Sequence, residues 1–82
     1  MNAADVLAAV GETLVSIRSR LGRDLEEVAA SAAISPERLA EAEAGETKLT
    51  EVELEALADA YGVNVTSFFG GRVTPLSYLA GA

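Results

Sequence analysis

Residues 34–45, ISPERLAEAEAG, gather the side chains best able to do chemistry: Glu37, Glu41 and Glu43 beside one cation, Arg38. Carboxylates accept hydrogen bonds and a guanidinium donates them in a planar fork, so this set can recognise a partner. Catalysis has little to draw on. The chain holds neither His nor Cys, which removes the usual near-neutral acid–base group, the usual zinc ligand, thiolates and disulfides. Gly70-Gly71 reads as a hinge, and no Gly-rich loop able to cradle phosphate is present. No enzyme, metal centre, cofactor or small-molecule ligand is expected.

The elements that must position these acids each carry start and stop signals. Over residues 4–21, Val6, Val10, Leu14, Ile17 and Leu21 recur at steps of three and four, one stripe of an amphipathic helix closed by Gly22. Asp24 can cap a second, Ala-rich helix, with Glu27 capping in return and Leu25, Val28, Ala29 and Ala32 facing inward. Ser35-Pro36 opens a third, because Ser caps well and Pro loses no hydrogen bond at the first helical position. Leu39 and Ala42 or Glu43 face inward there, and Gly45 stops the helix. Thr50 with Glu53 makes a capping box for a fourth, whose stripe is Leu54, Leu57, Ala58 and Tyr61 before Gly62. Asn64 can cap a last short helix bearing Val65, Phe68 and Phe69. No segment alternates with period two for long enough to make a strand.

The spacing thus predicts an all-α, compact five-helix domain over residues 1–70 and a short C-terminal tail over 71–82. At 82 residues the chain suffices for one small domain with a thin stability margin. No apolar run reaches the roughly 18 residues of a membrane span, and no secretory signal opens the chain, so a cytoplasmic protein is expected. The net charge of −7 is uncomfortable for a nucleic-acid binder, since phosphate neutralisation supplies most non-specific affinity. Residues 1–35 hold three Arg against five acids, and residues 36–82 hold Arg38, Lys48 and Arg72 against eight.

Four segments in order resemble the phage-repressor (XRE, Cro/cI-type) helix-turn-helix family: IRSRLG closing helix one, LEEVAASAAIS, SPERLAEAEAG, and LEALADAYGVNVTSFF. The likeness covers about residues 12–69 and implies a lambda-repressor-like fold with its motif at about 24–45. One departure stands out, because Ala33 occupies the turn position that holds Gly in the family pattern. The resemblance implies an interhelical ion pair between Arg18 and Glu43, which would keep one of the three acids away from DNA. It also implies that the second motif helix enters the major groove, placing Pro36, Glu37, Arg38 and Glu41 at the base-reading positions. Arg38 could bond a guanine edge or a phosphate, and Glu37 or Glu41 could accept from the cytosine amine. Spaced four apart, the two Glu are equally readable as a solvated face. Phosphate contacts would fall to Arg23, Leu25, Thr47 and Lys48; Arg23 and Lys48 are equally readable as ordinary surface cations.

The tail is more apolar than the end of such a domain requires. Phe68, Phe69, Val73, Leu76, Tyr78 and Leu79 could pack against a second subunit, fold back over their own core, or remain a free end, and Pro75 forbids one continuous helix through them. Two functions follow as expectations. The first is a sequence-specific regulator binding double-stranded DNA at an operator as a homodimer. The second is an acidic protein-interaction module, antitoxin-like or adaptor, on the same scaffold with weak or no DNA binding.

Overall fold

A computed structural model describes residues 3–69 of the chain. The apolar stripes become helices α1 (Ala3–Leu21), α2 (Leu25–Ser31), α3 (Pro36–Glu43) and α4 (Glu51–Tyr61), followed by a 3-10 turn at Val65–Phe69. The described residues are all-α, as the spacing predicts. The fifth element, expected as an α-helix, is instead this 3-10 turn, with Ser67 N–H donating to the Asn64 carbonyl at 2.9 Å. Five residues including β-branched Val65 and Thr66 cannot offset the cost of nucleating an isolated α-helix, whereas one tight turn suits them. The tail, with Val73, Leu76, Tyr78 and Leu79, lies outside the described residues.

The caps explain where the helices begin. Asp24 accepts from Glu27 N–H at 3.3 Å, Ser35 Oγ from Arg38 N–H at 3.1 Å, and Thr50 Oγ1 from Glu53 N–H at 3.1 Å. Glu53 returns the bond to Thr50 N–H at 2.8 Å, completing the expected capping box. Glu27 does not complete one with Asp24, because its carboxylate accepts from Arg23 Nε at 2.8 Å.

One motif ends all four helices, a pair of backbone bonds that close the last turn around a left-handed residue. For α2 these run from Ala33 N–H to Ala30 at 3.2 Å and from Ile34 N–H to Ala29 at 2.9 Å. Gly22, Gly45 and Gly62 take the left-handed position in the other three, but in α2 it falls to Ala33, at φ 57. An L-residue there costs roughly 1–2 kcal/mol through its Cβ. Ala33→Gly is therefore expected to stabilise the domain by about 1 kcal/mol, raising the thermal midpoint by roughly 4–8 °C. An unchanged or lower midpoint in circular dichroism would refute the strain.

Packing buries Leu14, Val28, Leu39, Leu49, Leu54, Leu57 and Phe68 almost completely. α3 lies on α1 and α2, α2 also packs on α4, and the 3-10 turn fits against α1 and α4. Phe68 meets Tyr61 edge-on, with ring centroids 6.5 Å apart. Burial pushes the Tyr61 hydroxyl up to about 12, and it finds no hydrogen-bond partner among the described residues. Three positions depart from the predicted inward faces. Leu21, at the end of the α1 stripe, is 50% exposed, and Leu25 is only half-buried at the edge of the core. Leu49, in the loop before α4, is buried although no helical period marks it.

Candidate nucleic-acid interface

α3 is held by its apolar face and shows its acidic one. Leu39 and Ala42 point into the core, while Glu37, Ala40, Glu41 and Ala44 are exposed and Pro36 is half-exposed at the first helical position. Two Arg–Glu pairs fix this helix to the body, one near each end.

Near the C-terminal end, Arg18 Nε and Nη2 donate to the two Glu43 oxygens at 2.8 and 3.0 Å. Its remaining arm donates to the Arg23 carbonyl at 3.2 Å. The Glu43 side chain is 8% exposed and that of Arg18 22%, so the pair lies largely out of water between α1 and α3. The Glu43 hydrogen bond raises the Arg18 pKa further above its ordinary value, which keeps the charge fixed.

Near the N-terminal end, Arg38 Nε and Nη2 donate to Glu53 at 2.6 and 2.8 Å, and Nη2 also reaches the Lys48 carbonyl at 3.2 Å. The guanidinium expected to read DNA thus fastens α3 to the start of α4. The bonds from Arg38, with that from Thr50 N–H, hold the Glu53 carboxyl down at about 2 against an ordinary 4.5. A depressed carboxylate stabilises the fold above its unfolded pKa and loses that contribution as pH falls through its folded one. The advantage of the parent over Glu53→Gln is therefore expected to be about 1–2 kcal/mol at pH 6, discounted for solvent screening, and to vanish between pH 4.5 and 2. Urea titrations of both proteins across that range check this, and a pH-independent gap would contradict it.

The expected phosphate contacts are placed unevenly. Arg23 pairs with Glu27 and donates from Nη1 to the Ala60 carbonyl at 2.7 Å, which draws it toward the end of α4. Leu25 is the first residue of α2 and leans on the core. Thr47 and Lys48 are half-exposed in the loop after α3. Of the five described cations, Arg18, Arg23 and Arg38 are in ion pairs, and Lys48 and Arg20 are in none. Of the dimer candidates, Phe68 is 1% exposed and consumed by its own core, so it offers no surface; Phe69 is half-buried.

No described group of His, Cys, Asp or Glu could hold a metal ion, and no helix is long and apolar enough to cross a membrane among the described residues. The Arg38–Glu53 pair escaped sequence reasoning. In the sequence Glu53 reads as a cap alone, and nothing there ties it to a cation.

Two crystal structures of the clp gene regulator ClgR from Corynebacterium glutamicum are similar to this fold. One is 30% identical with a TM-score of 0.75, covering 78% of this chain and 68% of ClgR. The other is 28% identical with a TM-score of 0.74, covering 84% of this chain and 94% of that one. No curated protein matches the sequence. The helix-turn-helix domain family matches residues 9–67, with α2, the Ala33 turn and α3 at the centre of the match, and the chain belongs to that family.

Proposed function

We propose that the chain is a sequence-specific DNA-binding transcriptional regulator that occupies its operator in the cytoplasm as a homodimer. The observation that carries this reading is α3 itself: a short helix braced at both ends, its outer face free, in a fold similar to a gene regulator. Glu37 and Glu41 accept from cytosine amines, and the Ala40 and Ala44 methyl groups suit thymine methyls. Arg38 sets the pose of the helix rather than reading a base. Thr47 and Lys48, beside α3, meet phosphate. With so few free cations one domain binds weakly, and a dimer sums two half-sites.

A second reading is supported by one observation. Glu37, Glu41 and Glu46 are exposed while Arg38 is turned into Glu53, leaving an acidic surface that suits a basic protein partner. Selection from a random duplex pool at about 50 mM salt separates the two, since weak electrostatic binding survives there. Enrichment of a palindrome whose half-sites lie roughly 34–36 Å apart supports the dimeric reader. Lys48→Ala should then weaken binding to all sequences alike, and Glu41→Gln should relax preference at one base pair. A folded protein that enriches no motif favours the interaction module.

A further inference from the structure

We infer, resting on the DNA-binding reading above, that Glu53 and Arg38 are positioning residues for phosphate contact. Together they fix the loop carrying Thr47 and Lys48, so an acid that itself touches no DNA raises the affinity for it. The loop from α3 to α4 is tied down by its backbone. At its start Glu46 N–H donates to the Glu41 carbonyl at 2.9 Å, just after the left-handed Gly45. At its end Leu49 is 1% exposed in the core and Thr50 N–H donates to Glu53 Oε1 at 2.8 Å. Between them Arg38 Nη2 reaches across from α3 to the Lys48 carbonyl at 3.2 Å.

Glu53 aims that bond. Its Oε2 accepts from Arg38 Nε at 2.6 Å and its Oε1 from Nη2 at 2.8 Å, which sets the plane of the guanidinium. Because Oε1 also accepts from Thr50 N–H, α3, the loop and α4 meet at one carboxylate. The Lys48 side chain leaves from this tied backbone, half-exposed and in no ion pair among the described residues. Glu37, Glu41 and Glu46 are exposed on the same helix and loop and repel phosphate, so contact depends on where the ammonium is held. A loop ordered beforehand spares the complex that ordering cost. Charge counting alone predicts the reverse for Glu53, since neutralising an acid close to DNA tightens binding and would release Arg38 to a phosphate. The sign of the Glu53→Gln effect therefore separates positioning from simple charge.

The test uses the full-length protein and a duplex carrying the half-sites enriched from the random pool. Affinity is measured over a series of salt concentrations for the parent, Glu53→Gln, Arg38→Met, Lys48→Ala and the double variant Glu53→Gln with Lys48→Ala. The temperature is one at which circular dichroism shows every protein folded. Gln keeps the side-chain shape and an oxygen for Thr50 N–H, so the cap survives while the charge that fixes Arg38 goes. Glu53→Gln and Arg38→Met should each bind more weakly than the parent. Each should also lose about 1 per half-site from the slope of log affinity against log salt, the loss expected for Lys48→Ala itself. A change in fold stability alone leaves that slope where it is. The double variant should lose little beyond either single change, because the ammonium is already out of place. Unchanged or tighter binding by Glu53→Gln, an unchanged slope, or additive losses in the double variant would overturn the positioning role and leave the DNA-binding reading standing. A slope lost in Arg38→Met alone would assign Arg38 to phosphate directly, which also overturns it. A parent that binds no duplex overturns both.

Discussion

Replacing Glu43 with Ala is expected to cost about 3–5 kcal/mol, most of the stability of a domain this small. The magnitude follows from burial and geometry. At 8% exposure the carboxylate has little water to fall back on, and its removal leaves the Arg18 guanidinium facing a vacant site between α1 and α3. Losing one partner of such a pair costs far more than the pair contributes over an apolar replacement, because the orphaned charge keeps its desolvation penalty. Three variants discriminate the causes. Glu43→Ala and Arg18→Ala should each lower the urea midpoint severely, and the double variant Arg18→Met with Glu43→Leu should recover much of the loss. A loss below about 1 kcal/mol in either single variant would show that solvent screens the pair as it does surface pairs. The consequence reaches function, since Glu43 is the last residue of α3 and its bond to Arg18 fixes that end of the exposed face.

The capping signals were legible because each is local. Ser35 and Pro36, Thr50 and Glu53, and the glycines at 22, 45 and 62 act within one turn, and the helices start and stop beside them. Ala33 was legible as an exception to the family pattern, and its φ of 57 shows the backbone keeping the left-handed turn despite the Cβ. What was illegible needed tertiary distance. Arg38 and Glu53 are fifteen positions apart on different helices, so no periodicity links them. Leu49 stands in a loop, where an apolar residue has no period to mark it as core. Leu21 fits the α1 period yet lies one turn past the neighbours that cover Ile17. The candidate face was legible in composition but not in charge balance, which depends on which cations are already engaged.

Gly11→Ala is expected to destabilise the domain by about 3 kcal/mol, opposite in sign to the usual effect of removing a glycine from a helix. In an exposed helix interior that exchange gains roughly 0.5–1 kcal/mol, because Gly loses more backbone freedom on folding. Gly11 is buried within α1, and a Cβ built on it would stand 2.6 Å from the Glu43 carbonyl oxygen and 2.7 Å from that of Ala42. Both obstacles are backbone at the end of α3, so no rotamer change relieves them. The approach is close from the other side too, since a Cβ on Gly45 would come within 3.1 Å of the Ala8 Cα. To admit the methyl, α3 must move away from α1, which pulls Glu43 off Arg18 and shifts the exposed acids against the rest of the domain. Gly22→Ala serves as the control. Its Cβ meets nothing within 4 Å, so only the left-handed φ of 64 opposes it, at a cost of roughly 1–2 kcal/mol. Urea midpoints should rank the parent above Gly22→Ala and Gly22→Ala above Gly11→Ala, and a Gly11→Ala protein as stable as the parent would disprove the close crossing. Because the displaced helix has already strained the Arg18–Glu43 pair, adding Glu43→Ala to Gly11→Ala should cost less than it does alone. That shortfall would measure how far the glycine and the ion pair act as one brace on α3.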